Sequence, residues 1–245
     1  MPEITFEALA LIDYADAWAI QQQRVAARAQ DAINDTILLC EHPPVITAGR
    51  GVSPQAFEAF TASPLLPVLP VFHTERGGEG AINAAESRVR SYHTERGGGW
   101  TAHEPGQLVV YPILKMPVRQ LRGFVNDLLC AVTYTLTDFG LDALQPPEGQ
   151  TGVWVQTPSG ELRKLASIGL ASKSAGKGVA VTYHGLALNV CNSLETFSVI
   201  DPCGFAPGVM TSMHALLGSA VVEDVQPKFT EALTRVLQRA LAEPT

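Results

Sequence analysis

The stretch from Lys164 to Cys203 places the tightest limits on what this chain can become. It reads K-L-A-S-I-G, then a Gly/Ser/Lys-rich interruption (A-S-K-S-A-G-K-G, 171–178), then a run over 179–190 containing Y-H-G-L-A-L-N-V, and finally I-D-P-C-G. Alternation around Lys164 predicts a strand that holds its ammonium in a fixed place, 171–178 a flexible loop, and 179–190 another strand. Cys203 falls between a proline and a glycine, turn formers that expose a sulfur rather than bury it. A cysteine made nucleophilic by a nearby cation is a route to acyl transfer, which makes Cys203 and Lys164 a candidate catalytic pair.

The rest of the chain supplies a frame. Residues 3–9 alternate like a strand, and 13–30 carry Tyr14, Trp18, Gln21, Val25 and Ala29 on one helical face behind Asp13 as N-cap. T-I-L-L-C at 36–40 predicts a buried strand, E-H-P-P-V-I-T-A-G-R a turn into a second strand ending at Gly49, and the proline-punctuated 64–72 an edge strand. Q-L-V-V-Y-P-I-L reads as a buried strand and 118–139 as a helix with Leu121, Phe124, Val125, Leu128, Leu129, Val132, Leu136 and Phe139 on the core face. V-W-V-Q and E-L-R-K flank T-P-S-G as a hairpin. The C-terminal helix shows Phe229, Leu233, Val236, Leu237, Ala240 and Leu241 on one face. Strands and helices are interspersed without strict βαβ alternation, which predicts an α+β fold, a mixed β-sheet flanked by helices.

H-T-E-R-G-G occurs at 73–78 and again at 93–98, each time after an aromatic residue (Phe72, Tyr92). One repeat at a 20-residue offset is not a solenoid. It predicts a local duplication, with a surface insertion at about 73–92 in a single domain spanning 1–245.

At 245 residues and 46% hydrophobic, such a chain buries a sizeable core. A net charge of −7 argues against nucleic acid or an anionic membrane as partner. The four cysteines (Cys40, Cys130, Cys191, Cys203) show no C-x-x-C spacing, which suits a reducing compartment. M-P-E-I-T-F-E lacks a basic region followed by an apolar run, and no apolar stretch reaches the ~20 residues of a membrane helix. The expectation is a cytoplasmic protein.

With R-G-G-x-x-T-x-H-x-P-G-Q-L-x-x-Y-P-I at 96–113, K-L-A-S-I-G at 164–169, H-G-x-A-L-N at 184–189 and P-C-G at 202–204, the chain resembles the lipoyl (octanoyl) transferases. E-H-P-P-V-I-T-A-G-R at 41–50 is similar to an early strand of that family, and the likeness runs from about residue 10 to 215. It implies the fold of lipoate and biotin protein ligase catalytic domains. It also implies transfer of an octanoyl group from acyl carrier protein to a lysine of lipoyl domains, those of 2-oxoacid dehydrogenases and the glycine cleavage H protein. By matching positions, Cys203 is the acyl-thioester nucleophile and Lys164 its partner. The substrate-binding residues are Arg96, Gly97, Gly98, Gly99, Trp100, Thr101, Ala102 and His103, then Ser167, Ile168 and Gly169, then His184, Gly185 and Leu186. Neither cofactor nor metal is implied. Two positions depart from the family's T-Y-H-G-P-G-Q: Ala102 stands for the aromatic residue and Glu104 for the glycine.

The residue chemistry fits this reading. An ammonium near Cys203 favours the thiolate, and the same lysine made neutral can take a proton from an attacking amine. Backbone N–H groups near Cys203 and Gly204 are candidates for the oxyanion. The Gly97–Gly99 run lets backbone approach a ligand, with Arg96 anchoring either the loop or an acidic carrier. No G-K-[ST] follows it, so it is not a P-loop. His103 and His184 are read first as loop-holding hydrogen bonders and second as bases. A zinc site from His103, His184 and Cys203 lacks short ligand spacing. Cys40, Cys130 and Cys191, each in an apolar element, read as small buried hydrophobes. The rival readings are an ATP-dependent ligase, which needs no cysteine, an amidotransferase between protein lysines, and a non-catalytic acyl-binding or carrier-docking protein.

Overall fold

The computed structural model describes residues 4–62, 90–200 and 208–242. The chain opens with β1 (Thr5–Leu11), crosses through α1 (Tyr14–Ala29) and returns as β2 (Thr36–Glu41), parallel to β1. Then come β3 (Val45–Ala48), α2 (Pro54–Thr61), β4 (Arg90–His93), β5 (Trp100–His103), β6 (Gln107–Ile113) and β7 (Lys115–Pro117). A 3-10 turn leads into α3 (Leu121–Asp138), followed by β8 (Val153–Gln156), β9 (Leu162–Ser174) and β10 (Val179–Asn189). A second 3-10 turn (Glu195–Val199), α4 (Met213–Leu217) and α5 (Val222–Ala242) complete the described chain.

The described residues form a seven-stranded mixed sheet in the order β1-β2-β6-β10-β9-β8, with β7 also on β10, and a three-stranded sheet, β4-β3-β5. Side chains on a strand alternate between faces, and both faces of the large sheet are covered. Ile37 and Leu39 of β2, Leu108 and Val110 of β6, and Leu186 and Leu188 of β10 pack with α3 and α5. Their neighbours Leu38, Cys40, Val109, Tyr111 and Ala187 pack against Ala17 of α1 on the other face. That is why β2 and β6 read as continuous apolar runs. Along β1 the register slips between Ala8 and Ala10, so that Leu9 is an extra residue, and Ala10 takes a φ of 52°.

Several expectations are met element by element, including most of the α1 face, the α3 face at Phe124, Leu128, Val132 and Leu136, and the β8–β9 hairpin, whereas Leu121 and Val125 of α3 line a surface groove outside the core. Others are corrected. The first half of the 171–178 loop is strand: β9 continues to Ser174 because Ala171–Ser174 pair with Ala180–Tyr183 of β10. Asp13 sits at the N-cap of α1 but makes no capping bond, and its carboxylate pairs with Arg90 at 3.1 Å instead. Cys130 and Cys191 are exposed, Cys130 on the outer side of α3 and Cys191 just past β10, whereas Cys40 is buried. Ala240, expected on the core face, is exposed. The 64–72 strand, the first H-T-E-R-G-G and 73–89 lie outside the described residues. The end of the expected insertion is sheet: Arg90–His93 pair in parallel with Val45–Ala48, and Ser91 and Tyr92 are buried. No described helix is long and apolar enough to cross a membrane.

Candidate functional site

The loop at 94–99 connects β4 to β5 within the small sheet. Gly98 adopts a φ of 87°, and Gly51 N–H donates to its carbonyl at 3.0 Å while Gly49 N–H donates to that of Gly99 at 2.9 Å. The buried Arg96 guanidinium binds this loop itself. Its Nε donates to Thr47 Oγ1 (3.0 Å), one terminal nitrogen to Gly97 O (3.1 Å), and the other to Thr47 O (2.6 Å) and Gly99 O (2.8 Å). Of the two roles considered for Arg96, these bonds serve the loop. Gly97 N–H also reaches Leu170 O of β9 at 3.4 Å, tying the loop to the large sheet.

Lys164, 3% exposed, stands where β9 changes partners. From Ala166 onward β9 pairs with β10, but at Lys164 the neighbour is the strand-like segment 209–211. Lys164 N–H donates to Val209 O (2.8 Å) and Thr211 N–H to Lys164 O (3.0 Å). Its ammonium lies 5.9 Å from the Trp154 ring centre, in cation–π range. The lysine stem passes Gly152 so closely that a Cβ there would stand 2.8 Å from Cε, and Gly152 has a φ of 101°.

Around Lys164, the 94–99 loop and strands β5, β6, β9 and β10 enclose a cavity. Its walls include Arg96, Gly97, Gly98, Thr101 and His103, then Ser167, Ile168 and Gly169, then His184, Gly185 and Leu186. Three residues expected among them are not on its wall. Trp100 and Ala102 alternate with Thr101 and His103 on β5 and face the opposite way, Trp100 onto Phe57 and Phe60 and Ala102 into a core with Ile46 and Phe197. The Gly99 carbonyl turns back to Arg96 and Gly49. Cys203 lies outside the described residues. Sequence reasoning missed Tyr14, Val109, Tyr111, Thr151 and Ala187, which also line the cavity. Tyr14 and Tyr111 were visible only as core positions; nothing local marks a buried aromatic as facing a void.

Two buried imidazoles, His103 and His184, line the wall, and a third, His42, packs beside His103. His42 Nδ1 lies 2.7 Å from Ile12 O and its Nε2 2.8 Å from the Tyr111 hydroxyl. His103 Nδ1 lies 2.6 Å from Gln107 Oε1. His184, at a φ of 54°, stacks on Trp18 with ring centres 4.7 Å apart, and its backbone N–H donates to Gln21 Oε1 at 2.9 Å. Burial pushes the His42 pKa down to about 4 and, with His42 adjacent, that of His103 to about 3. Burial, then Arg96 and His103, holds His184 well below the ordinary range. The unfolded imidazoles bind a proton below about pH 6.5, whereas the folded ones stay neutral until much lower pH, so acidification favours unfolding. Urea titrations should therefore show stability falling by about 2 kcal/mol for each of His42 and His103 between about pH 7 and about pH 5, with His184 acting in the same direction, above the range where most carboxylates titrate. A flat profile would mean that these rings are not buried neutral.

Glu104, the second departure from the family pattern, is 3% exposed. Its carboxylate accepts from Asn192 Nδ2 (3.1 Å), Thr196 N–H (3.1 Å), Ser193 Oγ (3.5 Å) and Leu194 N–H. In this chain the position cements the turn at 192–196 instead of leaving space.

The arrangement defines a class: a mixed sheet carrying a buried lysine in a glycine-walled cavity. Residues 13–234 match the lipoyl protein ligase A/B catalytic domain. An octanoyltransferase of Roseiflexus is 37% identical over 90% of this chain and 81% of its own length. One of Acidothermus cellulolyticus is 36% identical over 96% and 92%. A bi-partite lipoate protein ligase of Thermoplasma acidophilum, solved in a study with its E2 lipoyl domain, matches the fold with a TM-score of 0.58 at 14% identity, covering 96% of this chain and 85% of that one. The chain belongs to the lipoyl protein ligase A/B catalytic-domain family.

Proposed function

We propose that this chain is an octanoyltransferase of protein lipoylation, moving an octanoyl group from acyl carrier protein to a lysine of a lipoyl domain through a thioester on Cys203. The observation that carries the reading is the burial of Lys164 in one cavity with residues from 96–103, from 167–169 of β9 and from 184–186 of β10. Chain connectivity supports the pairing with Cys203. The described chain resumes at Gly208, and Val209 is already bonded to Lys164, so at most about 22 Å of extended chain separates Cys203 from that point.

The two steps balance without ATP. The Cys203 thiolate attacks the carbonyl carbon of the donor thioester, forms a new C–S bond and expels the carrier's thiolate, which takes up the proton given by the Lys164 ammonium and leaves Lys164 as the amine. The acceptor amine then attacks the acyl-enzyme, a C–N bond replaces the C–S bond, and the Cys203 thiolate leaves again. The first exchange is near neutral and the second gives the more stable amide. Lys164 as ammonium favours the thiolate, and as amine it receives the proton shed by the nucleophile. The neutral histidines and apolar wall exclude water that would hydrolyse the thioester.

Mixing the protein with octanoyl acyl carrier protein, without nucleotide, should add one octanoyl mass. Digestion should place it on the Cys203 peptide, and hydroxylamine should remove it. An adduct that forms only with octanoate and ATP would instead identify a ligase.

A further inference from the structure

We propose that His103 presents an unprotonated Nε2 to the cavity, in a tautomer set by a buried hydrogen-bond relay, and that this lone pair accepts an N–H of the attacking lysine amine. The proposal rests on the acyl-transfer reading above and adds a residue to its second step.

The tautomer follows from accounting for donors and acceptors. The Thr211 carbonyl only accepts, so the Asn189 atom 3.0 Å from it is the donating Nδ2. That leaves Asn189 Oδ1 facing Gln107 at 2.8 Å, where it accepts from Gln107 Nε2. Two further contacts fix these assignments. Gln107 Nε2 also donates to the Ala102 carbonyl at 3.3 Å, and Asn192 Nδ2 donates to the same Asn189 Oδ1 at 3.2 Å. Gln107 therefore turns its oxygen to His103 Nδ1, 2.6 Å away, and that nitrogen must carry the hydrogen. Gln107 and Asn189 are each 1% exposed, so water does not offer the amides an easy alternative. Burial, reinforced by the nearby Arg96 guanidinium and His42, keeps the ring neutral, and its Nε2 is left with a lone pair.

The same accounting separates His103 from its neighbour. Ile12 O makes His42 a donor at Nδ1, and the Tyr111 hydroxyl, 2.8 Å away, donates to its Nε2. His42 is thus saturated by protein, whereas among the described residues no donor is assigned to His103 Nε2. His103 shares the cavity wall with Lys164.

An acceptor in this place selects its ligand. A lone pair repels a carbonyl oxygen or an oxyanion, so His103 is not the oxyanion donor. An octanoyl chain and its thioester carbonyl offer no hydrogen to it. The incoming primary amine does, and an N–H held by Nε2 leaves the amine lone pair free to be aimed at the acyl carbon. His103 need not take the proton, which passes to Lys164.

Two measurements decide the matter. In the full chain with 15N-labelled histidine, His103 should show a protonated Nδ1 and a bare Nε2 from about pH 8 to about pH 5. Adding n-butylamine, a stand-in for the acceptor side chain, should shift the Nε2 resonance. In His103→Leu, aminolysis of the acyl-enzyme by a lipoyl domain should slow about tenfold more than acylation of Cys203 does, with a circular dichroism spectrum like the parent's to report a folded protein. A proton on Nε2, a resonance indifferent to the amine, or equal slowing of both steps would overturn the proposal. Failure of the parent protein to acylate Cys203 would instead sink the acyl-transfer reading and leave the tautomer assignment standing.

Discussion

Replacing Lys164 with methionine is expected to slow both half-reactions about 100-fold or more, the scale of losing one acid–base group. The stem of Lys164 is packed, with its Cε against Gly152 and its ammonium over Trp154, and methionine reproduces most of that shape. The backbone bonds to Val209 and Thr211 do not involve the side chain, so they survive the change. What disappears is the charge. The Cys203 thiol should then titrate at higher pH, and the attacking amine should lose its proton acceptor. Iodoacetamide alkylation followed against pH reads the first effect, and single-turnover transfer to a lipoyl domain the second. An unmoved alkylation profile with parent rates would place Lys164 away from the chemistry.

Gly185→Ala should have the largest effect on folding. A Cβ at Gly185 would stand 2.0 Å from the Val110 carbonyl oxygen and 2.6 Å from Pro112 Cδ, on the adjacent central strand. Neither neighbour is the loose end of a side chain: one is backbone in β6 and the other a proline ring in the same strand. The β6–β10 pairing that begins at Leu186 would have to open. Overpacking of this kind costs about 3 kcal/mol or more. The urea midpoint should fall accordingly with little change in the slope of the transition. A variant as stable as the parent would mean that β6 and β10 do not approach so closely.

Much of the large sheet was legible because its strands announce themselves. β2 and β6 are unbroken apolar runs, and α1 and α3 carry their core residues at helical spacing. What escaped depends on partners far away in sequence. The loop expected at 171–178 is punctuated by serine, lysine and glycine, yet Ala171–Ser174 are strand because β10 offers a ladder. Only the last part turns, with Gly176 and Gly178 at positive φ. The small sheet pairs β3 with β4 across a gap of more than forty residues, and nothing local says so. α2 did carry a signal that went unused: Ser53 caps it at 3.1 Å, with Pro54 in the first turn.

In the candidate site, the motifs led to most of the cavity wall, since glycine runs and a strand lysine are visible one segment at a time. They did not say which way each residue faces. Trp100 and Ala102 sit between two wall residues and point to the other side of β5. The relay from Thr211 through Asn189 and Gln107 to His103 joins three separate segments, so its logic exists only in the folded chain.

The slip in β1 bears on how the molecule keeps to itself. Among the described residues β1 is the outermost strand on its side of the large sheet, where open N–H and C=O groups invite a strand from another chain. Leu9 as an extra residue and the left-handed Ala10 break the even spacing a docking strand would need. Glu7, held by Arg24 at 3.0 Å, adds a charge to the same strand. The opposite margin is β8, only four residues long. Both ends of the sheet are therefore poor templates for edge-to-edge association, so a large two-faced sheet need not grow into an aggregate.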